Sequence, residues 1–207
     1  MSRLLLVRHA VTGFNSTHRF AGHRDTELSP IGCQQAERLR DRLRDDKIDA
    51  VYSSDLRRAL VTAETIATGR RVDIITCPEL REIDYGATEG LTPDEVSHRY
   101  PEVAEALASS SPGLEFPGGE TLHGLAERVG RFLEKLGGHK SSETVLIVSH
   151  RGPMRVMICR LLGIGLEHWR QISLDNASLS IVETSARGAI LTRLNEAAYL
   201  KGVDESD

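Results

Sequence analysis

The chain has 207 residues, 40% hydrophobic and 27% charged, a composition typical of a soluble, enzyme-sized globular domain. A net charge of −4 without a long basic block argues against a nucleic-acid binder, and the apolar runs are too short to span a membrane. The N-terminus lacks the features of a secretion signal, so we expect a cytoplasmic protein.

The three cysteines, Cys33, Cys77 and Cys159, are widely spaced and form no paired motif. Their odd number and spacing favour neither a disulfide framework nor a thiolate zinc site. We therefore expect three buried thiols in a reducing compartment.

The hydrophobic pattern predicts strands and helices that alternate along the chain. A buried strand over 4–7 precedes a helix that begins at Ser29-Pro30, a capping residue followed by an N1 proline. Ala36, Leu39 and Leu43 form the apolar stripe of that helix. The later predicted elements are a strand at 50–54, a helix over 55–68, a strand at 71–76, a helix from the capping box at 92–95, a helix over 120–136, a strand at 144–150, a helix over 153–162 and a hairpin of 179–184 against 189–194.

This alternation indicates an α/β fold of three layers, in which a mostly parallel central sheet carries helices on both faces. No internal repeat or linker divides residues 1–207, so we expect a single domain. Serine, proline and glycine break the periodicity over 109–119, which predicts a flexible loop or lid there.

Two of the predicted strands end on a histidine, LLLVRH at 4–9 and VLIVSH at 145–150. Ligands bind at the carboxyl ends of strands in open α/β sheets, so His9 and His150 are expected at the same edge. Either one alone could be an ordinary strand-end histidine. Together, and with Arg8 adjacent, they indicate a site for an anion.

Five motifs occur in order along nearly the whole chain: RHAVTGFN at 8–15, RFAGHRDTELSPIG at 19–32, YSSDLRRALVTAETI at 52–66, LREIDYGATEG at 80–90 and VSHRGPMR at 148–155. They resemble the motifs of the histidine phosphatase superfamily, which has the phosphoglycerate-mutase-like fold. The resemblance implies one histidine phosphatase domain that hydrolyses a small phosphorylated metabolite through a phosphohistidine, without metal or other cofactor. The layout is similar to the broad-specificity and α-ribazole-phosphate phosphatases.

The resemblance also implies roles for individual residues. His9 would be the nucleophile and Glu82 the general acid, with Asp84 and Glu89 as competitors for the second role. The groups that would clamp the phosphoryl oxygens, whose charge must be stabilised in the transition state, are Arg8, Arg58 and His150. The expected substrate-binding residues are Thr12, Asn15, His23 and Arg151.

Some of these positions have competing interpretations. Arg57 and Arg58 both begin a predicted helix, where the helix dipole opposes a cation unless a phosphate binds nearby. The resemblance selects Arg58 and leaves Arg57 on the surface. His18, His23 and Asp25 match no standard zinc spacing, so no metal is expected.

Two alternative functions stay open. A mutase of this family would carry a longer insertion and tail than this chain, which favours a phosphatase. A phosphate-ester-binding protein that has lost its chemistry is also conceivable, because Ala10 and Arg151 replace glycines usual in the family. Arg151 would either contact a second anionic group of the substrate or face water. The oligomeric state is open, with a homodimer among the alternatives.

Overall fold

A six-stranded sheet forms the centre of the computed structural model, which describes residues 2–109, 111, 113–140 and 142–203. The strands are β1 Ser2–Arg8, β2 Ala50–Ser53, β3 Ile74–Thr76, β4 Thr144–Ser149, β5 Leu179–Ser185 and β6 Gly188–Glu196. Their order across the sheet is β3-β2-β4-β1-β5-β6. The first four are parallel, whereas β5 and β6 form the predicted hairpin and run antiparallel. The expected mostly parallel sheet is confirmed.

The helices of the described residues connect these strands. The α-helices are α1 Gly13–Ser16, α2 Pro30–Arg42, α3 Arg57–Ala67, α4 Pro93–Arg99, α5 Pro101–Ala108, α6 Leu122–Leu136 and α7 Arg151–Leu162. Short 3-10 turns occur at Pro78–Leu80, Gly86–Thr88, Leu166–Gln171 and Ala198–Leu200. Within the same ranges, no helix combines the length and apolar character needed to cross a membrane.

Apolar side chains of the central strands point alternately to the two faces of the sheet and form two hydrophobic cores, one on each face. Leu5 and Val7 of β1 belong to a cluster with side chains of α2 and α3. Leu4 and Leu6 belong to a second cluster with side chains of α6 and α7. Since consecutive strand residues point to opposite faces, both sides of β1 are covered, and the three-layer arrangement is confirmed.

The register between β1 and β4 determines what lies at the edge of the sheet. Arg8 pairs with Ser149, so the next residue of each strand, His9 and His150, leaves the sheet at the same level. The backbone N–H of His9 also donates to the carbonyl of Ser149 over 2.9 Å. The predicted convergence of the two histidines therefore follows directly from the strand register.

Several predicted boundaries shift by two residues. Ser29 and Thr92 cap their helices as expected. The helix predicted from 55 starts at Arg57, and the helix predicted from 120 starts after its cap Thr121. The helix predicted from 153 already starts at Arg151, because a proline is tolerated in the first helical turn.

Three other expectations need correction. Only Ile74–Thr76 of the strand predicted at 71–76 pairs with a neighbour. The separate helix α5 was not predicted; it follows a break at Tyr100, the residue before a proline, where helical backbone is disfavoured. Cys77 and Cys159 are buried, but Cys33 is exposed, since it lies on the solvent face of α2.

The segment predicted as a loop or lid, 109–119, is described except for residues 110 and 112. Leu114 and Phe116 are buried in the core beside α6. The carbonyl of Leu114 also accepts a hydrogen bond from the N–H of Leu122 over 2.9 Å. The second half of the segment is therefore anchored, and a lid movement stays a prediction.

Candidate active site

The two strand-end histidines lie next to each other. The ring centroids of His9 and His150 are 5.0 Å apart, and the ring planes are tilted by 55°. His9 is 4% exposed and borders a cavity, whereas His150 is fully buried behind it. Of the two, only His9 is among the residues that line the cavity.

The hydrogen bond of His9 determines which ring nitrogen is free. Nδ1 lies 2.8 Å from the carbonyl oxygen of Ala10, which can only accept, so Nδ1 carries the proton and Nε2 keeps a lone pair. Burial, followed by the charges of Arg58 and Arg8, lowers the pKa of His9 well below its ordinary value. His9 is therefore neutral at pH 7, the form in which an imidazole can act as a nucleophile.

Arg8 and Arg58 are buried cations held by backbone carbonyls. Arg8 Nη1 donates to the carbonyl of Leu174 over 2.8 Å. Arg58 Nη1 and Nη2 donate to the carbonyls of Arg24 and Gly22, also over 2.8 Å. Among the described residues, no carboxylate forms an ion pair with either guanidinium, and the Nε atom of each has no hydrogen-bond partner. Burial and the charge of Arg151 lower the pKa of Arg8 to about 9. An anion would satisfy both cations.

His150 has one ring nitrogen satisfied and one without a partner. Nε2 lies 2.9 Å from Oγ of Ser54, which accepts from the N–H of Leu56 over 3.3 Å and keeps its own proton to donate. Nδ1 is buried, with no hydrogen-bond partner among the described residues. Burial and Arg58 lower the pKa of His150 well below its ordinary value. In the tautomer in which Nε2 accepts from Ser54, Nδ1 carries the hydrogen and is a donor that an anion would satisfy.

The carboxylate of Glu82 is fixed by one of its two oxygens. Oε1 accepts hydrogen bonds from the backbone N–H groups of Ile83, over 2.9 Å, and Gly152, over 3.0 Å at the first turn of α7. The carbonyl of Glu82 is also held, by Arg128 Nη2 over 2.8 Å and by His23 Nε2 over 2.9 Å. Among the described residues, Oε2 takes part in no hydrogen bond, so it is available to a ligand in the cavity.

The two competing carboxylates have other partners. Asp84 accepts from the N–H of Gly86 over 2.9 Å, and Glu89 accepts from the N–H of His23 over 2.6 Å. Neither side chain lines the cavity, whereas Glu82 does. Of the three carboxylates considered from the sequence, only Glu82 faces the site.

Gly152 has no side chain, and this allows the Glu82 carboxylate to approach α7. A Cβ atom at position 152 would lie 2.4 Å from Glu82 Oε1 and 3.5 Å from Leu125 Cδ2. Because a carboxylate at the end of a flexible side chain can move, we expect Gly152→Ala to fold while displacing Glu82. If Glu82 is the general acid that the sequence resemblance implies, this displacement should lower kcat for alkyl phosphates by roughly 10-fold or more, a part of the about 10²- to 10⁴-fold that a general acid contributes.

The control for this prediction is Gly130→Ala, another helical glycine. Its Cβ would lie 3.4 Å from the flexible guanidinium of Arg160, away from the site. Steady-state kinetics and thermal unfolding of both variants provide the measurement. A Gly152→Ala enzyme with unchanged kcat would show that the position of Glu82 does not matter.

Two predicted substrate-binding residues, Thr12 and Asn15, interact with each other. Thr12 caps α1, and its N–H and Oγ1 donate to Asn15 Oδ1 over 3.0 and 2.9 Å. Asn176 Nδ2 donates to the carbonyl of His9 over 3.1 Å and also approaches Asn15 Oδ1 at 3.3 Å. The oxygen of Asn15 is thus occupied, and its NH2 group is left for a ligand. Asn15 lines the cavity and Thr12 lies behind it.

The other predicted positions divide between the cavity and its surroundings. Arg151 is exposed and lines the cavity at the same time. His23 supports Glu82 and does not line the cavity, whereas His18 does. Arg57 is exposed, as expected, and pairs with Glu27 at 3.2 Å. No group of three or more metal-binding side chains occurs within the described part of the chain.

The cavity that these residues surround has a volume of about 550 Å³. His9, Arg8, Arg58 and Glu82 line it, and its apolar lining residues include side chains of α4 and α5. Its lining residues are Arg8, His9, Phe14, Asn15, His18, Arg19, Phe20, Ala21, Gly22, Arg58, Glu82, Tyr85, Pro93, Val96, Ser97, Ala104, Leu107, Ala108, Arg151, Arg170 and Asn176.

The lining residues that were not predicted from the sequence include Tyr85, Arg170 and Asn176. Desolvation and the nearby Glu82 carboxylate raise the pKa of Tyr85 well above its ordinary value, so its hydroxyl stays a donor. Tyr85 lies within the motif at 80–90, and this was an available signal. Arg170 and Asn176 come from the segment before β5, which carries no motif that could have identified them.

Comparison with known proteins agrees with this arrangement. A sequence model of the histidine phosphatase superfamily (branch 1) matches residues 4–197. Phosphoserine phosphatase 1 of Hydrogenobacter thermophilus is 36% identical over 97% of this chain and 95% of its own. A metal-independent phosphoserine phosphatase of Arabidopsis thaliana is 32% identical over 98% and 85%. The crystal structure of an α-ribazole phosphatase from Shigella flexneri superimposes with a TM-score of 0.86 at 30% identity, covering 94% and 96% of the two chains.

Proposed function

The chain belongs to the histidine phosphatase superfamily and is a metal-independent phosphomonoesterase that acts on small phosphorylated molecules, and we propose that His9 is its nucleophile. One observation carries this assignment. His9 has a free Nε2, is held neutral, and lies beside Arg8 and Arg58, two buried cations without carboxylate partners among the described residues.

In the first step, the lone pair of His9 Nε2 attacks phosphorus, and the bond between phosphorus and the ester oxygen breaks. Glu82 donates a proton to the departing oxygen, so the product is an alcohol rather than an alkoxide. Arg8, Arg58 and His150 stabilise the charge on the equatorial oxygens during this transfer, and the NH2 group of Asn15 adds a hydrogen bond. The phosphoryl group is then bonded to His9.

In the second step, water replaces the alcohol. The Glu82 carboxylate takes a proton from the water molecule as its oxygen attacks phosphorus, and the phosphorus–nitrogen bond breaks. Inorganic phosphate leaves, and His9 returns to its neutral form with the proton still on Nδ1. The two-step route replaces one difficult displacement by two easier ones.

Ala10, one of the two departures from the family pattern, does not obstruct this chemistry. The side chain of Ala10 is buried against Ala36 and Ala177, away from the cavity, so its methyl group takes no space from a substrate. Its backbone N–H is held by Thr62 Oγ1 at 3.2 Å. These contacts favour an active enzyme over a binding protein that has lost its chemistry.

The first substrates to test are those named for similar proteins, phosphoserine and α-ribazole phosphate. We expect phosphatase activity to persist in excess chelator, because Arg8, Arg58 and His150 supply the charge stabilisation that a metal ion would otherwise provide. The measurement is phosphate release from 4-nitrophenyl phosphate with and without chelator. A strict requirement for added magnesium or zinc would overturn this mechanism.

A further inference from the structure

The backbone segment 79–82, which brings Glu82 to the cavity, is held by side chains of distant elements. All four of its carbonyl groups accept a hydrogen bond from a side chain. Arg128 of α6 donates to three of them over 2.6 to 2.8 Å, those of Glu79, Arg81 and Glu82. Ser149 of β4 donates through Oγ to the remaining one, that of Leu80, over 2.7 Å. The position of the segment is therefore tied to α6 and β4.

Arg128 has a single orientation because all of its donors are used. Its side chain is buried, and Nε and Nη2 donate to the two oxygens of Glu120 over 2.7 and 2.8 Å. Such a bidentate ion pair neutralises the buried charge and aligns the guanidinium plane. With the three carbonyl contacts, each of the five N–H groups of the guanidinium has an acceptor. Arg128 is not among the residues that line the cavity, so its influence on the site passes through the backbone.

One of these contacts acts on the peptide group that holds the Glu82 carboxylate. The carbonyl of Glu82 and the N–H of Ile83 belong to the same planar peptide group and point in opposite directions. Arg128 Nη2 and His23 Nε2 hold the carbonyl over 2.8 and 2.9 Å. The N–H on the other side donates to Glu82 Oε1 over 2.9 Å. A rotation of this peptide group would move its N–H away from the carboxylate, and the two donors on the carbonyl oppose that rotation.

We propose that Arg128, assisted by His23, is a positioning residue for proton transfer. Through the peptide group between Glu82 and Ile83, it keeps the Glu82 carboxylate fixed by Oε1, with Oε2 free in the cavity. This inference rests on the proposed function, in which Glu82 is the proton donor. Loss of Arg128 should therefore impair protonation of the leaving group and spare the attack by His9.

Arg128→Lys is the variant that tests the proposal. Lysine keeps the positive charge beside Glu120, but one ammonium group cannot span a carboxylate and three carbonyl groups. We expect the release of an alkyl alcohol to slow about 10-fold, a part of what a general acid contributes, and the release of 4-nitrophenol to change less than about 2-fold. The measurement is the rate of alcohol release in a single turnover with enzyme in excess, because the later hydrolysis of the phosphohistidine also uses Glu82 in the proposed mechanism.

The matched control is Arg70→Lys. Arg70 also donates to three backbone carbonyl groups, but it does not line the cavity or contact the Glu82 segment; its acceptors are the carbonyls of Leu43, Asp46 and Ile66. Arg70→Lys should lower the temperature of unfolding, as Arg128→Lys does, without changing the ratio of the two release rates. If Arg128→Lys also left this ratio unchanged, Arg128 would have a structural role only and the proposal would be overturned.

His23→Ala decides the question if Arg128→Lys does not fold. The side chain of His23 is one-third exposed and donates to the same carbonyl of Glu82. Its removal should slow the alkyl ester about 3-fold and spare the aryl ester, as expected for the loss of one hydrogen bond that supports the proton donor. An unchanged ratio in this variant would overturn the proposal.

Glu82→Gln, measured in parallel, separates the positioning role from the proposed function. Native alkyl release in Glu82→Gln would contradict the assignment of the proton donor and with it the role of Arg128. Slow alkyl release in Glu82→Gln, beside an Arg128→Lys enzyme with the native ratio, would overturn the positioning role alone.

Discussion

His9→Ala is expected to remove phosphatase activity to the level of the uncatalysed reaction. The variant lacks the proposed nucleophile, and the neighbouring His150 is buried and is not among the residues that line the cavity. Loss of a residue that forms the covalent intermediate typically costs about 10⁴-fold or more in kcat. The measurement is kcat for 4-nitrophenyl phosphate and for phosphoserine.

The native enzyme provides the complementary result. Rapid quenching during turnover should trap phosphate on His9, in a form that acid hydrolyses and base does not, as expected of a phosphoramidate. His18→Ala is the control, since His18 borders the same cavity without contacting the catalytic cluster, and it should keep most of the activity. Phosphate trapped on a serine or cysteine would contradict the assignment.

The centre of the fold could be predicted because its determinants are local. The apolar runs of β1 and β4 each end on a histidine, and parallel pairing brings strand ends together whatever the details of the loops. The caps Ser29 and Thr92 are likewise readable, because a capping side chain bonds to amides only a few residues away. Such features require no knowledge of the tertiary structure.

The periphery of the site could not be predicted in this way. Arg170 and Asn176 belong to the segment before β5, whose position depends on tertiary hydrogen bonds, among them those from Arg8 and Arg155 to its carbonyl groups. Arg57 and Arg58 are consecutive residues, and the sequence alone gives no geometric reason to place one rather than the other in the site. In the structure Arg58 is 1% exposed and held by two carbonyls, whereas Arg57 faces solvent.

Glu82→Gln is expected to have an effect that depends on the leaving group of the substrate. A glutamine keeps the hydrogen bonds that fix Oε1 to the amides of Ile83 and Gly152, but its side chain cannot release a proton. An alkyl phosphate, whose alkoxide is a poor leaving group, should therefore lose about 10²- to 10³-fold in kcat. 4-Nitrophenyl phosphate needs little protonation and should lose only a few-fold in its first step. The measurement is kcat for both esters, with burst kinetics to separate the two steps.

The comparison with Asp84→Asn makes this prediction specific. Asp84 lies two residues further along the same motif, and its oxygens bond to the N–H of Gly86 and approach His23 Nδ1 at 3.8 Å, outside the cavity. Its removal should affect both esters equally, through the support of the loop rather than through proton transfer. If Glu82→Gln slows both esters by the same factor, while Asp84→Asn affects only the alkyl ester, the general acid is Asp84. The leaving-group dependence thus identifies the proton donor by its chemistry, which a loss of activity alone does not.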